Sequence, residues 1–265
     1  MLSNHQRLPA VFIGHGSPMN ALEDNRFTDA WHAIAQSLPR PRAILAISAH
    51  WTTRGTAISS NAEPKTIHDF RGFPQALFDL HYPAPGDPAL AASIRDQMAP
   101  LDIRLDDGWG LDHGSWSVLL KMYPHADIPV LQLSLDLTQA PAFHFALGQR
   151  LSILRDQGIL LLGTGNVVHN LTKLEWGGVA VPEWATRFNQ RVRDALTGPT
   201  PRMLIDYAAW GEDATLSVPT AEHFLPLLVI AGSRRDDDDI TIAVDGIELS
   251  AISMLSAVVD VHRPG

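Results

Sequence analysis

Val11-Phe12-Ile13-Gly14-His15-Gly16-Ser17-Pro18-Met19 is a short apolar run that ends in a histidine held between two glycines. The run predicts a buried strand, and Gly-His-Gly predicts the tight turn at its end. Glycines on both sides let the backbone bend sharply. They also leave room for a metal, and for a planar substrate lying against the backbone. An imidazole so placed faces a cleft rather than a core.

The pattern returns twice. Ala43-Ile44-Leu45-Ala46-Ile47-Ser48 reads as a buried strand running into Ala49-His50-Trp51. Residues 159–162 read as another, ending in Gly163-Thr164-Gly165-Asn166-Val167-Val168-His169-Asn170. Further strands are predicted over 10–13, 56–59, 103–105, 129–133, 240–244 and 252–259. Helices are predicted over 26–37, over 88–98 with Asp87 as its cap, and over 115–122. Phe143, Leu147, Leu151 and Leu154 share one helical face, as do Phe188, Val192 and Leu196. Pro219-Thr220-Ala221-Glu222-His223-Phe224-Leu225-Pro226 opens a last helix, with Thr220 as its candidate cap. Strands alternating with helices predict an α/β fold: a single domain over 1–265, its central sheet mostly parallel or mixed, with helices on both faces. The long stretch 61–86 has little periodicity, and Phe70, Phe73, Phe78 and Tyr82 read as an aromatic wall over a pocket.

A chain of 265 residues can bury a sizeable core. Its formal net charge is -9 and no basic patch stands out, which argues against a nucleic-acid partner. There are no cysteines, so disulfides, thiolate metal sites and cysteine nucleophiles are excluded. No signal peptide and no membrane-spanning apolar run is legible, and the cytoplasm is the expected location.

Twelve histidines are many for this length. In open α/β sheets ligands bind beyond the carboxyl ends of the strands. His15, His50 and His169 fall just past such ends, while His113 and His223 lie at or just before predicted helix starts. All five could converge on one sheet edge. Neutral imidazole is a common ligand for zinc and non-haem iron, and three nitrogens leave positions open for substrate. His5, His32, His125, His144 and His262 are expected in surface or hydrogen-bonded structural roles; His68 and His81 could line a pocket. Asp236 to Asp239 reads as a solvated turn, lacking the spaced oxygens of a calcium loop. Gly163-Thr164-Gly165 is not followed by Gly-Lys-Ser/Thr, so it is a poor phosphate cradle.

Five motifs then occur in order: Gly14-His15-Gly16-Ser17-Pro18, Ser48-Ala49-His50-Trp51, Leu111-Asp112-His113-Gly114, Gly165-Asn166-Val167-Val168-His169-Asn170 and Glu222-His223-Phe224-x-Pro226. Together they resemble the class III (LigB-like) extradiol ring-cleavage dioxygenases, in the branch of the 4,5-DOPA enzymes. The resemblance runs from about Pro9 to Gly232 and into the final strands. It implies one divalent metal held by His15, His50 and His223, Fe(II) for activity, with Zn(II) able to occupy the same nitrogens in isolated protein. It implies His169 as the acid/base residue, His113 as a second pocket histidine, and Glu222 as a neighbour of the third ligand. The implied substrates are a small-molecule catechol and O₂, and the product a muconic semialdehyde. A zinc-dependent hydrolase and a non-catalytic metal-binding protein are the alternatives on the same scaffold.

Overall fold

A computed structural model describes residues 7–177 and 180–261. Its first half carries β1 (Ala10–Gly14), α1 (Arg26–Ser37), β2 (Ala43–Thr53), β3 (Thr56–Ser59), α2 (Gln75–Phe78), α3 (Pro88–Gln97), β4 (Ile103–Asp106) and α4 (His113–Met122). Then come β5 (Val130–Asp136), α5 (Pro141–Leu151), β6 (Ile159–Gly165), α6 (Glu183–Thr197), α7 (Glu212–Ser217) and α8 (Leu225–Gly232). The chain closes with β7 (Asp238–Val244), β8 (Ile247–Glu248), β9 (Ile252–Ser253) and β10 (Ser256–Val261).

Among the described residues the main sheet has eight strands in the order β4-β3-β5-β2-β6-β1-β10-β7. β5, β2, β6 and β1 run parallel; at one edge β10 is antiparallel to β1 and β7 antiparallel to β10, and at the other β3 is antiparallel to β5 and parallel to β4. Side chains of a strand alternate between faces, and these strands feed two cores. Phe12, Leu45, Ile47 and Leu161 pack on one side with α5, α6 and α8. Val11, Ile13, Ile44 and Leu162 pack on the other with α1 and α4. α8 is buried along its whole length and apolar all round, as a helix enclosed by core must be. Among the described residues no helix is long and apolar enough to cross a membrane.

Several boundaries moved for local reasons. α4 starts at His113, two residues earlier than the sequence predicts, because the Asp112 carboxylate accepts the Ser115 N–H and caps it. Thr220 caps nothing. The last helix begins at Leu225, because Pro226 has no N–H and is tolerated only in a first turn. The tail is not one strand: Ile252–Ser253 pairs with β8 in a small hairpin before β10 joins the main sheet. Asp236 to Asp239 is not simply solvated. Asp238 is fully enclosed and takes hydrogen bonds from Arg155, itself buried, from Arg7 and from the Arg235 backbone.

Candidate metal centre

β1 delivers His15. Its backbone N–H donates to Gly165 O at the end of β6 at 3.1 Å, and its carbonyl accepts from Asn20 Nδ2 at 3.1 Å. The flanking glycines are needed, but not for a ligand. A Cβ on Gly14 would stand 2.7 Å from the Met254 carbonyl carbon. One on Gly16, whose φ is +62°, would strike Met254 Sδ. The space they leave is filled by the chain's own tail, which corrects the expectation of room for metal and substrate.

His50 sits inside β2 rather than past its end. The pairing of β2 with β5 breaks register between Ile47 and Thr52, and His50 falls in that irregular stretch. Irregular pairing of this kind re-aims side chains. A buried polar network anchors it. Ser48 Oγ accepts the His50 N–H at 3.2 Å and donates to Asp112 Oδ1 at 2.7 Å. Gln132 Nε2 donates to Asp112 Oδ2 at 2.7 Å, and Gln132 Oε1 accepts the Asp112 N–H. Asp112 thus fixes the start of α4, and with it His113.

His223 precedes α8. Its carbonyl accepts the Asn166 N–H at 2.9 Å, and Gly165 allows this approach because any Cβ there would collide with His223 O. His169 follows β6, held by its N–H donating to Ser217 O.

The five rings meet. His15 Nε2 and His50 Nε2 are 3.2 Å apart. Ligand nitrogens of His15, His50 and His223 all lie within 4.8 Å of one another. His169 stacks on His223 with centroids 3.5 Å apart and planes 7° from parallel. His113 lies against His50 at 3.9 Å. These groups fit a metal ion. Two nitrogens at about 2.1 Å from one ion, at octahedral or tetrahedral angles, stand about 3.0 to 3.4 Å apart. His223 Nε2 is buried with no protein partner, and Glu222 Oε1 lies 3.2 Å from Nδ1 on the far side of the ring. A carboxylate on one nitrogen keeps the lone pair on the other. Burial, then repulsion among the rings, holds His15 and His223 well below the usual histidine range. Burial also lowers His50 to about 3 and His169 to about 4. All four are therefore neutral at pH 7, as a nitrogen donor or a base must be.

Residues the sequence reading passed over complete the site. Asp69, in the long loop, lies between His113 and His50. Gln132 and Met254 carried no local signal. Phe70 packs edge-on against His113 at 5.5 Å and against Phe73 and Phe78, so three of the predicted wall aromatics assemble beside the site. Tyr82 does not join them: it is buried in the core, its hydroxyl donating to Tyr123 O. His68 Nε2 donates to Leu80 O behind this cluster, and His81 is exposed. His32 and His125 are surface residues as expected. His144 is instead fully buried, with neither ring nitrogen partnered in the protein. His5 and His262 lie outside the described residues.

An α/β sheet that brings five histidines together, three of them with ligand nitrogens around a common centre, defines a protein whose site could hold a metal ion. Comparison with known proteins sharpens this. Residues 9–259 match the family described as the catalytic LigB subunit of aromatic ring-opening dioxygenase. The 4,5-DOPA dioxygenase extradiol of Escherichia coli (strain K12) is 52% identical over 261 residues, 97% of this chain and 96% of that one. The enzyme of the same name from Beta vulgaris is 38% identical, over 85% of this chain and 87% of its own. A crystal structure of an uncharacterized Escherichia coli K12 protein superposes with a TM-score of 0.84 at 48% identity, covering 95% of this chain and 99% of that one. The chain belongs to the LigB family of ring-opening dioxygenases and is an extradiol dioxygenase.

Proposed function

We propose that the chain opens the ring of a DOPA-like catechol with O₂, giving a muconic semialdehyde, at a divalent metal held by His15, His50 and His223. The observation that carries this is the buried, unpartnered Nε2 of His223 facing two further imidazole nitrogens. The names of the Escherichia coli and Beta vulgaris relatives support the substrate class. Fe(II) bound there would supply the redox step between catechol and O₂, which zinc, having no redox chemistry, does not. His169 is the proton carrier. Neutral at pH 7 and stacked on His223, it stands where it takes a hydroxyl proton from a catechol at the centre. His113 and Phe70 form the neighbouring wall, an edge-on pair that suits a flat ring. Glu222 orients His223: its Oε1 lies 3.2 Å from Nδ1 and accepts from Thr220 Oγ1 at 2.7 Å.

The test is oxygen consumption by protein loaded anaerobically with Fe²⁺, across catechols with and without an amino-acid side chain. O₂ uptake with a yellow product is expected, and zinc-loaded protein should be inert. His169→Gln should bind the metal normally and lose about 10²- to 10⁴-fold in kcat. Iron-bound protein that consumes no O₂ with any catechol overturns the proposal.

A further inference from the structure

We infer that Asp69 is a positioning residue that sets the tautomer of two site histidines at once, from a loop outside the sheet. Asp69 Oδ1 accepts the His113 backbone N–H at 2.9 Å and lies 2.9 Å from His113 Nδ1. The ring N–H does not point straight at the oxygen, so this second contact is electrostatic rather than a well-aligned hydrogen bond. Asp69 Oδ2 lies 3.4 Å from His50 Nδ1. The side chain is only 23% exposed, so water screens these contacts little.

The consequence is chemical. A carboxylate oxygen that close to a bare ring nitrogen would set lone pair against lone pair. A proton on Nδ1 turns each contact attractive, for His50 as for His113. With Nδ1 protonated, a neutral His50 has its lone pair on Nε2, the atom 3.2 Å from His15 Nε2. Asp69 thus selects the donor atom of His50 by the logic that Glu222 applies to His223.

The loop can hold this position because its first part is pinned to the segment that leads into α4. Leu111 N donates to Lys65 O, Ile67 N donates to Leu111 O, and Trp116 Nε1 donates to Ile67 O, all within 2.8 Å. Phe70, the next residue, packs on His113. One loop therefore supplies both the aromatic wall and the anion that orients a ligand, so the substrate pocket and the metal centre assemble together.

This rests on His50 as a ligand, and the experiment separates the two claims. Asp69→Asn keeps shape but replaces one oxygen by an NH₂ group. With its remaining oxygen on the His113 N–H, the amide presents its NH₂ to His50 Nδ1 and favours the wrong tautomer. Titration with Co²⁺, read by its visible spectrum, should show one tight site in the wild type and about 10- to 100-fold weaker binding in Asp69→Asn. Ring ¹⁵N NMR of the metal-free protein should show His50 protonated on Nδ1 in the wild type and shifted toward Nε2 in the variant. Metal-free thermal unfolding of both proteins reports whether the variant folds; if it does not, the wild-type tautomer alone decides. Equal Co²⁺ affinity in a folded variant, or wild-type His50 protonated on Nε2, overturns the Asp69 inference while the ligand set stands. Wild-type protein that binds no Co²⁺ overturns both.

Discussion

Acidification of the metal-free protein should unfold it steeply, and the slope can be worked out in advance. His169 titrates near 4 and His50 near 3 in the folded chain, against 6.5 for an unperturbed histidine. His15 and His223 lie well below 6.5 for the same reason, burial among like groups. Because each folded value is depressed, the unfolded chain binds the proton first. Stability is therefore complete above about pH 7 and falls as the pH drops through 6.5; the share due to His169 stops growing near pH 4. Each such group contributes about 1.4 kcal/mol per pH unit. His50 and His169 alone give about 3 kcal/mol per unit, a large part of a typical total of about 5 to 15 kcal/mol. Urea unfolding followed by tryptophan fluorescence, with chelator present, at several values between pH 7.5 and 5 measures the slope. That window lies above the ordinary carboxylate range; burial raises Asp112 and Glu248, whose contribution opposes that of the histidines. His169→Gln should remove about one proton from the slope. A slope of less than one proton between pH 6 and 5 would refute a buried, neutral cluster.

Two other outcomes follow from packing. A Cβ on Gly114 would stand 2.7 Å from both His50 Cδ2 and Ser48 Oγ, so Gly114→Ala should cost about 1 to 3 kcal/mol in urea unfolding and weaken metal binding by displacing His50. Arg155→Met leaves the buried Asp238 with only Arg7 and the Arg235 backbone, and should cost about 3 to 5 kcal/mol, most of it recovered when Asp238→Leu is added.

What was legible in the sequence was whatever is written locally. Short continuous apolar runs in β1, β2 and β6 identify buried strands, because a strand covered on both faces has no polar face to show. The helix over Arg26–Ser37 was legible too, with Pro39 ending it; the capping box of Asn25 and Thr28 at its start shows only in the structure. His15, His50 and His169 were legible because each follows an apolar run, and His113 and His223 because each stands at or just before a predicted helix start.

Tertiary structure decided what those residues do together. That Gly14 and Gly16 make way for Met254, some 240 residues on, follows from β10 lying beside β1, a long-range pairing that no local pattern encodes. Asp238 reads as one of four surface acids until Arg155 is brought to it. Asp69 is one carboxylate in an aperiodic loop until pairing at Leu111 carries it between His50 and His113. Local propensity depends on neighbours in the chain, whereas the charge, tautomer and donor atom of a side chain depend on neighbours in space. By itself the sequence picked out the histidines and the strands and helices beside them; only the packed structure decided which nitrogens face one another.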